Sequence, residues 1–169
     1  LATGVLSECH QRTVVMPMAE RLPKEYSGHW CAALDFGKIN VARDGLTSTT
    51  NAAITLIALD EGIDEEAPPA ALLERLALNI HLDPISIHGV DDTAFSPSDI
   101  VRVRNQISLH PANDATIKLL AELAASLGVH STRSLLFSVT VCRAIALLLE
   151  LPETHEDVIA SVIRLVLLP

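Results

Sequence analysis

Apolar and polar residues alternate most cleanly over VRVRNQISLH, residues 101–110. Val101, Val103, Ile107 and Leu109 fall on one side, with Asn105 the exception, and Arg102, Arg104, Gln106, Ser108 and His110 fall on the other. A period of two predicts a strand with one buried face and one free face. KINVAR, residues 38–43, alternates in the same way, with Ile39 and Val41 on one face and Lys38, Asn40 and Ala42 on the other. Asp44-Gly45 punctuates that second strand.

Between and after these strands the apolar spacing becomes helical. Residues 48–61 follow Ser and Thr capping residues and carry Ile54, Ile57 and Ala58 as a stripe, ended by Gly62. Asp64, Glu65 and Glu66 with Pro68 and Pro69 suit the start of a further helix, whose Leu72, Leu73, Leu76 and Ile80 run to about His81. Residues 82–99, with Asp83-Pro84, Gly89 and Ser96-Pro97, read as a linker. After Pro111, Asn113 or Asp114 caps a helix with Ile117, Leu120, Leu123, Ala124 and Leu127 on one face and Gly128 just past its end. Ser131 or Thr132 caps the next, residues 133–151, which is apolar nearly all round and so predicted to be buried against a two-fold-related partner. Pro152 breaks it, and residues 153–168 form a last amphipathic helix. Residues 1–36 read as an N-terminal extension: a short strand from Thr13 ended by Pro17, a loop over 22–29, and an apolar stretch over 30–36.

The predicted layout repeats. Strand, helix, glycine, helix occurs at 37–81 and again at 100–151, and 152–169 follows as a C-terminal helix. The expected fold class is mainly α with a short antiparallel β-ribbon. Composition agrees: 49% of the 169 residues are hydrophobic but only 3% aromatic, which favours helix packing over a large sheet. The net charge of -9 argues against coating nucleic acid by bulk charge. The charge is uneven, however. Residues 101–149 hold five basic residues and two acidic ones, a balance of +3 that leaves -12 on the remainder.

Strand, helix, glycine turn and helix in this length resemble the ribbon-helix-helix family of DNA-binding proteins, the Arc and MetJ type. RVRNQISLHP, the helix running to SLG, and VHSTRSLLF carry the resemblance. Two copies in one chain resemble the tandem, single-chain members associated with conjugative plasmid and T-DNA transfer. The resemblance implies a tandem pseudodimer that binds double-stranded DNA in the major groove, as a transcriptional repressor or a DNA-transfer accessory factor. It implies that Arg102, Arg104, Gln106 and Ser108, with Lys38 and Asn40 from the first copy, contact bases. Arg suits guanine and Gln suits adenine. Ser131, Thr132 and Arg133 would contact phosphate at a helix N-terminus. The first copy departs at that position, where Asp64, Glu65 and Glu66 would repel phosphate. Counting back from Pro111 as several members do would instead turn Leu109 and Ile107 outward and aim the arginines at the core, so the polarity pattern sets the register.

Other chemistry has little support. Cys9-His10 and His29-Trp30-Cys31 lack the CxxC or HxxxH spacing of a zinc site, so neither a metal nor a cofactor is expected. No Ser-His-Asp order, phosphate loop or HExxH stands out, and the chain reads as a non-enzyme. Three cysteines, an odd number, fit a reducing compartment. LATGVLSECH has neither the basic nor the apolar region of a secretory signal, and the run over 135–151 is short for a membrane span, so a cytoplasmic location is expected. The alternative is an acidic helical protein-interaction module, a dimerisation, adaptor or antitoxin-like unit without DNA binding. Its acidic surface would face a protein partner or a second copy.

Overall fold

A computed structural model describes residues 4–43, 46–82, 95–109 and 111–168. The fold is mixed α and β, and the chain divides into two compact units, Leu1–Leu76 and Ala77–Pro169.

The first unit runs α1 (Val5–Glu8), β1 (Arg12–Met16), a 3-10 turn (Ala19–Arg21), α2 (Lys24–Phe36), β2 (Lys38–Arg43), β3 (Leu46–Asn51), β4 (Ile54–Ala58) and α3 (Ala70–Leu73). β2 is the strand its alternation predicts. It pairs antiparallel with β3, Lys38 opposite Asn51 and Asn40 opposite Thr49. β1 and β4 form a separate parallel pair, Arg12 opposite Ile54 through Met16 opposite Ala58. β1 and α2, from the stretch read as an extension, belong to this unit's body. Leu6, Ala33, Ile39 and Ala52 make its core, with Trp30, Ala32 and Ile54 packed on them.

The helix expected over 48–61 is instead β3 and β4. Thr47, Thr49, Thr50, Ile54, Thr55 and Ile57 are β-branched, and such side chains lose rotamer freedom in a helix and fit a pleated strand. Ile54, Leu56 and Ala58 are the half-buried positions of β4, a period of two that the Ile54, Ile57, Ala58 spacing conceals. The helix expected up to His81 is only the four-residue α3. Beyond it Arg75 turns back to Asp35 on α2, Nε to Oδ2 at 2.8 Å and Nη2 to Oδ2 at 2.7 Å.

Gly37 ends α2 with φ +63°, its N–H donating to Ala33 O at 3.0 Å. A Cβ there would stand 3.1 Å from Ala53 Cβ. Gly37→Ala is expected to cost about 1–2 kcal/mol from the left-handed backbone alone. A urea titration followed by the fluorescence of Trp30 measures it, and an unchanged midpoint would contradict the geometry.

The second unit is helical: α4 (Pro97–Leu109), α5 (Asp114–Ser126), α6 (Thr132–Leu149), α7 (Glu156–Val162) and a π-helical turn (Ile163–Leu167). Leu120, Cys142, Ala146, Val158 and Val162 form its core. Ser138, Cys142 and Ala146 lie one turn apart on α6 and are all buried. Their small side chains let neighbouring helices come close. α5 begins and ends as its sequence predicts. Asn113 Oδ1 accepts from Ala115 N at 2.9 Å, and at the other end Val129 N donates to Ala124 O and Gly128 N to Ala125 O, with Gly128 at φ +73°.

Where the strand was expected, residues 101–109 lie on the helix α4, and His110 is outside the described residues. The signal for this precedes the alternating stretch, in Ser96-Pro97-Ser98-Asp99. Ser96 N donates to Asp99 Oδ2 at 2.9 Å and Asp99 N to Ser96 Oγ at 3.3 Å, a reciprocal capping box with proline in the first turn. Over so few residues Val101, Val103, Ile107 and Leu109 fit both periods. Val103 and Ile107, four apart, turn inward on the helix, while Asn105, the exception to alternation, joins Val101 and Leu109 on its exposed side. The two halves thus have different architectures, hairpin and parallel pair in one and a helical bundle in the other. The expected repeat of strand, helix, helix is not what the chain forms.

Candidate functional site

The six residues assigned to base contact are split between the two units. On α4 they do not share a face, because a helix divides what a strand would align. Arg102 turns toward α6: Nη1 donates to Leu147 O at 3.0 Å, and Nη2 lies 3.3 Å from Glu150 Oε1 and 3.7 Å from Asp99 Oδ1. Gln106 lies one turn further along on that side, its Oε1 buried without a hydrogen-bond partner. Arg104 and Ser108 are exposed, and Ser108 Oγ donates to Arg104 O at 3.3 Å. Lys38 and Asn40 are exposed on β2, where Thr49 Oγ1 donates to Asn40 Oδ1 at 2.7 Å.

Arg143, which sequence reasoning passed over, completes the arrangement on α6. Its Nη2 donates to Ile107 O at 2.6 Å. Ile107 and Leu147 both lie in the last turn of their helices, where carbonyls lack helical partners and the dipole is negative. Arg102 and Arg143 are therefore reciprocal clamps, each serving the other helix's C-terminal end. The signal was available in sequence as a charge in the middle of an apolar run, which needs a specific partner to be buried.

At the start of α6, Ser131 is the cap, its Oγ accepting from Ser134 N at 3.3 Å. Thr132 is exposed and Arg133 is half-buried. Asp64, Glu65 and Glu66 start no helix. They lie in the loop after β4, where Glu66 Oε1 pairs with Arg21 Nη1 at 3.0 Å. Glu20, on the turn after β1, has a side chain only 3% exposed. Burial pushes its carboxyl upward, but the Glu61 N–H, its own N–H, the Arg21 guanidinium and Asp60 together outweigh that and hold it below the usual range. Asp99 is likewise held low, chiefly by the Ser96 hydroxyl and N–H.

His10 Nδ1 accepts from Ala53 N at 3.0 Å, and Cys31 Sγ donates to Ala71 O at 3.5 Å, so both are engaged within the first unit. Among the described residues no three His, Cys, Asp or Glu side chains are grouped to hold a metal. Burial, with the Glu153 carboxylate second, pushes the Cys142 thiol from 9.0 up to about 11. At pH 8 it stays protonated, donating to Glu153 O at 3.3 Å. Iodoacetamide at that pH is expected to label half-exposed Cys9 well before Cys142, read by peptide mass spectrometry. Equal rates would mean that the helical unit opens freely.

The molecule's most unusual surfaces are apolar. β1 and β4 have no further strand partner among the described residues. One face of the pair is half-buried, through Val14, Met16, Ile54, Leu56 and Ala58, while on the other face Val15 (54% exposed) sits opposite Ile57 (47%). α6 is long and apolar enough, by length and composition, to cross a membrane. Its buried stripe of Ser138, Cys142 and Ala146 is that of a bundle helix, yet only 17% of it is buried. Leu136 on α6 is 63% exposed and Leu109 on α4 is 74% exposed.

These features describe a two-unit α+β chain. No family model matches it. Over 90 residues, 53% of this chain and 16% of the relative, it is 33% identical to the magnesium-chelatase 60 kDa subunit of Cereibacter sphaeroides. Over 184 aligned positions, 98% of this chain and 30% of each relative, it is 23% identical to the magnesium-chelatase 67 kDa subunits of Chlorobaculum parvum and Chlorobaculum tepidum. The chain thus spans less than a third of the length of the curated relatives it matches.

Proposed function

We propose that this chain is a protein-interaction segment of a magnesium-chelatase-type subunit, without catalysis of its own. The observation that carries this reading is the β1–β4 pair. Parallel sheets are ordinarily covered on both faces, and this one leaves Val15 and Ile57 in register on an open face. The similarity to the 67 kDa subunits, which runs along nearly the whole chain, supports the kind of assembly.

The test uses the purified remaining subunits of a magnesium chelatase and the labelled chain in fluorescence anisotropy. Binding with Kd below about 10 μM is expected, weakened at least about tenfold, or 1.4 kcal/mol, by the double substitution Val15→Lys and Ile57→Lys. Both side chains are exposed, so circular dichroism of the isolated variant should match the parent. No binding, or binding indifferent to the substitutions, would overturn the reading.

A DNA-reading ribbon is the second reading. It is favoured by the β2–β3 hairpin, an antiparallel ribbon within one chain that exposes Lys38, Asn40, Thr49 and Asn51. A labelled random duplex titrated from about 50 to 200 mM salt decides it: binding that weakens steeply would favour the ribbon, and its absence at the low end would exclude it.

A further inference from the structure

We draw no further inference here: the strongest candidate, the open apolar groove between α1, α2 and β2 lined by Leu6, Leu22, Tyr26, Trp30 and Val41, is an unpartnered apolar face and nothing in the structure shows what covers it.

Discussion

Leu120→Ala is expected to cost the helical unit about 2–5 kcal/mol, the range for removing a buried leucine whose neighbours relax only in part. Leu120 is fully buried on α5, against Cys142 and Ala146 of α6 and Val158 and Val162 of α7. The stripe of small residues on α6 has no long side chain with which to refill the space. Domains of this size hold about 5–15 kcal/mol in all, so the loss is a large fraction. The two units have separate cores, and the single tryptophan, Trp30, lies in the first. The urea midpoint read by far-ultraviolet circular dichroism should therefore fall while the transition read by Trp30 fluorescence stays in place. A tryptophan transition that moves equally would show that the units unfold as one.

The second large effect is expected at Arg143. Removing it with Arg143→Ala leaves Ile107 O without its charged donor inside a partly buried contact. Hydrogen bonds to charged groups contribute about 1.5–3 kcal/mol, and the orphaned carbonyl adds its desolvation cost. Arg143→Lys should recover only part, because an ammonium lacks the planar fork and its reach. Arg102→Ala should cost less, since the Glu150 carboxylate it pairs with is largely exposed. The two arginines fasten the same pair of helices, so their effects should not add: once α4 has lost one clamp, the other holds less. A double-mutant cycle by thermal melting measures the coupling. A base-reading Arg102 predicts the reverse, weakened duplex binding with an unchanged Tm. Those two readouts separate the structural role from the one suggested by alternation.

Much of the helical unit was legible in the sequence. The caps at Asn113 and Ser131, the left-handed Gly128 and the face of Leu120 and Ala124 are local features, fixed by backbone hydrogen bonding within a turn or two. β2 was legible for the same reason, as its alternation is set by residues within the strand. α4 and the β3–β4 region were misread where a short apolar pattern fits two periods. At α4 the tie is broken by the capping box at Ser96 and Asp99, and in β3 and β4 by the density of β-branched residues. Both signals are present in the sequence, the first beside the alternating stretch and the second beneath the helical spacing of Ile54, Ile57 and Ala58.

The inward turn of Arg102 and Gln106 and the pairing of Arg143 with Ile107 O needed the fold. Each depends on which helix lies alongside, a relation between residues about 40 positions apart. The same holds for β1, which reads as a weak strand in isolation and finds β4 only after α2 and the hairpin have been threaded between them. By itself the sequence determined a mixed α and β chain, its best-capped helices and its one clear alternating strand, because short-range sterics and hydrogen bonds decide those. Only the tertiary structure decided which charges are spent inside the fold and which apolar side chains are left outside it, because burial belongs to contacts that no local pattern encodes.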